Sequence, residues 1–225
     1  MKLALDCSQS SGSIALSDKE RILYSAFFDI RITHSETLMP VLDAAMKLCG
    51  YQPQDIEEIY VCLGPGSFTG LRIGLSTAKG IAFAHNLRVL AFSSLELTAL
   101  PCVISGKNIL SLIDAKMKEV YLAGFDERLQ PTIPPCVISP GDIVNYKIQD
   151  YILTGSGTGA VASVLQSANI EAFIAPVYLH HPKAELLFEL EQYTHPKIYQ
   201  GKDLADLEPL YIRDSTAQIK HKAKS

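Results

Sequence analysis

The sequence predicts an α/β fold whose first hundred residues run strand, strand, strand, helix, strand, helix, and close on a further strand. Two observations carry this reading. Three short β-rich runs precede residue 30, and two long helical patterns follow with one compact apolar strand between them. Composition agrees with a globular chain. The 225 residues are 48% hydrophobic and 20% charged, which excludes a largely disordered protein. Such a length suits one elongated domain or two small lobes.

The runs "KLALD" (2–6), "GSIALS" (12–17) and "RILYSAFFDI" (21–30) read as an antiparallel meander, with Gly12 and "SDKE" supplying turns. A helix is predicted at about 33–49. Thr33 and Glu36 form a capping box, and Leu38, Val41, Leu42, Ala45, Met46 and Cys49 make one apolar stripe at helical period. Gly50 stops it. Pro40 conflicts with the pattern, so either the helix kinks there or its regular part begins there. "EEIYVCLG" (57–64) is a strand buried on both faces, 68–85 a helix, and "RVLAFSS" (88–94) a strand.

Beyond residue 100, "NILSLID" (108–114) and "EVYLAGFD" (119–126) read as paired strands. "QPTIPPCVISPGD" (130–142) has four prolines and reads as a loop or linker. "YILTGSG" (151–157) is a strand ending in a glycine turn, followed by a helix in "TGAVASVLQSAN" and an amphipathic helix in "KAELLFELEQYT" (183–194). The tail "AQIKHKAKS" has no apolar period and reads as frayed and solvated.

Several classes of function are disfavoured. A net charge of −4 provides no global basic field for nucleic acid or acidic lipid. Five scattered cysteines form no C-x-x-C pair and read as reduced, buried small hydrophobes. The N-terminal apolar run is broken by Asp6 and is too short for a signal peptide. No apolar stretch approaches the ~20 residues of a membrane helix, so a cytoplasmic protein is expected.

The segment "GPGSFTGLRIGLSTAKG" (64–80) looks like a phosphate loop. The match is poor: Leu71 stands where a P-loop lysine belongs, and Gly66 and Gly70 do not fit G-x-G-x-x-G. At a spacing of four, Gly66, Gly70, Gly74, Ala78 and Ala82 form a spine of small residues. Interior helical glycine costs about 1 kcal/mol relative to alanine, so a packing reason is expected. Packing on the chain's own sheet and packing against a partner helix both fit this spine.

That segment, followed by "FSSLELTA", "DAKMKEVY" (114–121) and "PLYIR" (209–213), resembles the TsaB (YeaZ) family. The resemblance covers most of the chain and is densest in the first hundred residues. It implies an actin-like (ASKHA, RNase H-like) two-lobed α/β fold with a degenerate second lobe. The expected division is a lobe at 1–100, a lobe at 101–215 and a flexible tail at 216–225. It also implies a non-catalytic subunit in the threonylcarbamoylation of adenosine next to the tRNA anticodon, pairing with a TsaD-type catalytic paralogue and assisted by a TsaE-type ATPase. The pairing surface would be the helices at 33–49 and 68–85, with Leu38, Leu42, Met46, Gly70, Gly74 and Ala78 as its residues. A homodimer through the same helices is implied for the protein alone, with tRNA reached only through the complex and no membrane involved.

The resemblance also marks absences. The catalytic paralogue carries V-N-H-x-x-x-H with two metal-binding histidines, and Ser94 and Thr98 occupy those positions here. Hydroxyls are poor ligands for divalent transition metals. None of the six histidines restores the pair, and adjacent His180 and His181 read as a surface pair. Actin-like ATPases open with D-x-G-[ST], whereas "LDCSQSSGS" has Asp6 followed by Ser8 in the glycine position. Asp6 then reads as a turn cap, and weak or partner-dependent ATP or ADP binding at Asp6 and Ser8 stays open. The competing readings are a glycoprotease-like metallopeptidase, a stand-alone ATP-dependent transferase and a direct tRNA-binding module. Asp114, Glu119 and Tyr121 fit either a polar hairpin turn or a contact for the ATPase.

Overall fold

A computed structural model describes residues 1–29 and 34–212. The chain forms two units, one of Met1–Leu97 with Pro182–Leu210, the other built on Thr98–His181. A second lobe running unbroken over 101–215 is thereby corrected, because 182–210 return to the first unit. The expected cap Thr33 and the tail 216–225 lie outside the described residues.

The first unit holds a mixed six-stranded sheet. Its strands are β1 (Lys2–Asp6), β2 (Gly12–Asp18), β3 (Arg21–Phe28), β4 (Glu58–Gly64), β5 (Arg88–Ser93) and β11 (Lys197–Tyr199). Their order is β11-β5-β4-β1-β2-β3. β1, β2 and β3 pair antiparallel, β1–β4 and β4–β5 parallel, and β11 antiparallel to β5. The two helices α1 (His34–Cys49) and α2 (Phe68–His85) cover one face. Pro40 lies inside α1 at an exposed position, and the helix is assigned continuously across it. At α2, Ser67 caps the start by accepting from the Gly70 amide at 3.2 Å, and left-handed Asn86 ends it.

The apolar stripe of α1 enters the core, where Leu38, Leu42, Ala45 and Met46 meet Leu3, Leu5, Ile14, Leu16 and the inner side of α2. Each fully buried aliphatic side chain contributes about 1.5–3 kcal/mol. The opposite face is covered by the returning chain. Tyr60 of β4 stacks edge-on with Phe188 at 5.1 Å, and its hydroxyl donates to Glu191 at 2.7 Å. The Ala184 amide donates to Ser13 Oγ on β2 at 2.8 Å. The helix expected over 183–194 is shorter, α5 (Leu186–Leu190), because the flanking amides close tighter three-residue turns instead, Leu187 on the Ala184 carbonyl and Tyr193 on that of Leu190.

The second unit has a five-stranded sheet in the order β10-β9-β6-β7-β8. Its strands are β6 (Asn108–Lys116), β7 (Glu119–Phe125), β8 (Pro131–Ile138), β9 (Tyr151–Thr154) and β10 (Phe173–Ile174). The helix α4 (Thr158–Ser167) sends Val161 and Leu165 into a core with Leu110, Leu112, Leu122 and Leu153. The proline-rich stretch is a strand here rather than a loop. β8 lies at the sheet edge, where only one side needs donors, and Pro134 and Pro135 fall where its register with β7 is interrupted. The remaining helix, α3, spans Ser94–Ala99.

Ala78 is wholly buried in the core of the first unit. Ala78→Arg is therefore expected to unfold the first unit, since an unpaired buried guanidinium costs several kcal/mol. A large fall in melting temperature by circular dichroism would agree. A stable, folded variant would place this residue elsewhere.

Candidate functional site

The first candidate is the joint between the β1–β2 turn and the start of α2. Asp6 and Ser8 are 1% and 0% exposed. The Ser8 amide donates to Asp6 Oδ1 at 3.1 Å, so Asp6 caps its own turn. The Ser8 carbonyl accepts from the Ser67 amide at 2.7 Å. Gly66 lies so close to it that a Cβ there would come 1.8 Å from the Ser8 oxygen. Gly74 presses on Cys7 in the same way, with a Cβ position 3.3 Å from the cysteine's own. Burial pushes the Cys7 thiol far above its ordinary range, helped by neighbouring Asp6, and leaves it unreactive.

The residues of this turn do not fit a phosphate. The Ser8 side chain is fully buried, and the carbonyl beside it already holds the Ser67 amide. Ser8 Oγ has no hydrogen-bond partner among the described residues, yet it is enclosed rather than presented. No nucleotide-dependent step is derived for this chain.

The second candidate is the helix pair, and here the predicted residues need correction. Leu38, Leu42, Met46, Gly70, Gly74 and Ala78 are all buried within the first unit. They cannot also cover a partner. The spine of small residues serves the chain's own fold, because Gly74 lets α2 settle against Cys7 just beyond β1 and Ala78 lies wholly buried in the same core. The outward faces of the same helices are the missed residues. Met39 is 50% exposed, Leu48 76%, Phe68 53% and Phe83 81%. The Arg72 guanidinium lies 3.7 Å above the Phe68 ring. A signal existed in the sequence: Met39 and Leu48 stand off the apolar stripe of α1, where polar residues belong.

Ser94 and Thr98 are buried, and the Ser94 hydroxyl donates to the Pro65 carbonyl. Ser94 is thus tied to the loop before α2. Among the described residues, no three His, Cys, Asp or Glu side chains gather into a metal-holding group. The His180–His181 pair is partly buried rather than a surface pair. His180 bonds Thr158 Oγ1 at 3.2 Å and the Ala175 carbonyl at 2.7 Å, a structural role. All five cysteines are free: Cys7, Cys62 and Cys102 buried, Cys49 and Cys136 partly so. Asp114 accepts from the Lys116 amide at 2.8 Å and its ammonium at 2.7 Å, which holds its carboxyl below the usual range despite partial burial. Lys116, Met117 and Lys118 then form a left-handed hairpin tip.

Two mixed sheets, each with helices packed on it, define an α/β protein of two units. The comparisons narrow that class. A family model described as TsaD, tRNA N6-adenosine threonylcarbamoyltransferase, matches residues 30–221. The tRNA threonylcarbamoyladenosine biosynthesis protein TsaB of Bacillus subtilis is 27% identical, over 97% of this chain and 96% of its own. Its namesake in Haemophilus influenzae is 29% identical, over 94% and 93%. The solved structure of YeaZ from Pseudomonas aeruginosa superposes with a TM-score of 0.78 at 26% identity, covering 93% of this chain and 98% of that one. The chain belongs to the tRNA N6-adenosine threonylcarbamoyltransferase family and, within it, to the TsaB/YeaZ group.

Two substitutions probe this region. Gly66→Ala should lose roughly 3 kcal/mol or more, since the methyl group overlaps a backbone oxygen that cannot yield. Exposed Gly80, which has nothing within 4 Å of a Cβ position, should instead gain up to about 1 kcal/mol on Gly80→Ala. Thermal melts that fail to separate the two would contradict the packing described. Glu96 lines a cavity of about 170 Å³ with His195 and Lys197, and burial pushes its carboxyl above the usual glutamate range. The folded state thus holds this proton more tightly than the unfolded chain. Its contribution to stability is present in acid and lost as pH rises through the folded-state value. Glu96→Gln should raise the melting temperature at pH 7.5 and change it little at pH 4. A fall at pH 7.5 would refute this.

Proposed function

We propose that this chain is a non-catalytic subunit in the synthesis of threonylcarbamoyladenosine next to the tRNA anticodon, acting as a scaffold for a TsaD-type catalytic paralogue. The observation that carries the reading is the two-sidedness of α1 and α2. Their inner faces are fully used by the core, while Phe83 and Leu48 stand in solvent at 81% and 76% exposure. Large exposed apolar residues on the outward faces of two neighbouring helices suit an interface. Ser94 and Thr98, in place of a histidine pair, support assigning the chemistry to the partner.

In this reading a TsaE-type ATPase assists the pair, and tRNA is bound only by the assembled complex. In its absence the same helix faces pair two copies of this chain. The work is cytoplasmic, where tRNA is modified, and among the described residues no helix is long and apolar enough to cross a membrane.

The test is co-purification with the two partner proteins, followed by an assay of tRNA threonylcarbamoylation with each protein omitted in turn. Activity from this chain alone would overturn the scaffold role. Phe83→Asp should leave the melting temperature within a degree or two, because the side chain touches little of its own fold. It should weaken pairing about a hundredfold, mainly through faster dissociation. Normal pairing and full modification by Phe83→Asp and Leu48→Asp would remove the helix faces from the interface.

A further inference from the structure

Between the β2–β3 turn and the 185–192 segment of the first unit lies a cavity of about 700 Å³ that the function above leaves unused. Small-molecule sites span about 300–1,000 Å³, so the size is adequate. Two lysines and four glutamates line it, an excess of two negative charges. Lys2 is already engaged, donating to the Tyr60 hydroxyl at 2.8 Å with Glu58 and Glu191 carboxylates 3.7 and 3.9 Å away. Glu20 and Glu185 make no ion pair within 4.0 Å among the described residues.

A second observation points into the same space. On β2, Ser13, Ala15 and Ser17 alternate with the core residues Ile14 and Leu16. Ser13 accepts from the Ala184 amide, so this face of the strand meets the returning segment. Ser17 shares that face and lines the cavity at 2% exposure, and its hydroxyl has no hydrogen-bond partner among the described residues. A buried hydroxyl without a partner costs about 1–3 kcal/mol, which a ligand donor would recover.

The chemistry of the lining selects the ligand. Among the described residues no three carboxylate, histidine or cysteine groups converge as a metal ion requires. Along the returning segment the lining carboxylates Glu185 and Glu189 alternate instead with the apolar Leu186 and Phe188. We propose that this cavity binds a linear aliphatic polyamine. Its ammonium groups reach Glu20, Glu185 and Glu189, its methylene chain lies along Leu186 and Phe188, and one N–H donates to Ser17 Oγ.

Isothermal titration of spermidine into the full-length protein at low salt tests this, with magnesium chloride as the control for unspecific charge. One spermidine per chain is expected. Glu185→Gln combined with Glu189→Gln should weaken it about a hundredfold, roughly tenfold for each charge-assisted bond. Asp43→Asn, which removes an exposed pair with Lys47, should leave the affinity unchanged. If the double variant fails to fold by circular dichroism, Glu20→Gln at the exposed turn decides, with about a tenfold loss expected. No saturable heat with spermidine, unchanged affinity in the folded variants, or equal competition by magnesium at matched charge would each overturn the proposal.

Discussion

The closest approach in the first unit is between the start of α2 and the β1–β2 turn, and most of what the chain can do depends on it. A side chain at Gly66 would run into the Ser8 carbonyl, and one at Gly74 would press on Cys7. Their absence lets the Ser67 amide reach that carbonyl, while the Ser67 hydroxyl caps the helix. A segment rich in glycine, serine and threonine thus becomes a packing joint. The groups that would have faced a phosphate are bonded to one another.

This joint makes α2 a two-sided element. Its inner side is nearly all backbone and small residues, which place the helix axis close to the sheet and carry Leu71 and Leu75 inward with it. Interior glycine weakens an isolated helix, so the penalty of about 1 kcal/mol each is offset by that packing. The outer side bears Phe68 and Phe83, both more than half exposed, and this supports the scaffold role proposed above.

The returning chain completes the unit on its other face. Tyr60 is central: wholly buried, stacked near Phe92 and edge-on to Phe188, with its hydroxyl tied to Glu191. Burial and these carboxylates push its phenol well above the ordinary range, so it stays a neutral donor at every physiological pH. β11 then extends the sheet beyond β5. Residues far apart in the chain are therefore needed to close one core, and a boundary drawn once along the sequence misses this.

Much of this architecture is written in local pattern. Period-two runs place β1 to β3, the four-residue spacing of small residues marks α2, and the capping serine and closing asparagine bound it where its period starts and stops. Ser8, Ser94 and Thr98 are plain as residues, while that they stand for a glycine and two histidines is what the family resemblance implies. Other features were not legible, because they depend on what lies across the fold. Ser13 takes the Ala184 amide and ties the returning chain to β2, and the helix there is shorter than its period suggested. Prolines survive in β8 only because that strand ends at the edge of its sheet. Neither the α1 stripe containing Leu38 nor the α2 spine containing Ala78 carries a label saying whether sheet or partner covers it, since both environments select the same apolar and small side chains. Periodicity determines that a face is buried. Only the tertiary structure decides by what, because burial is a property of two surfaces and the sequence of one helix describes a single one.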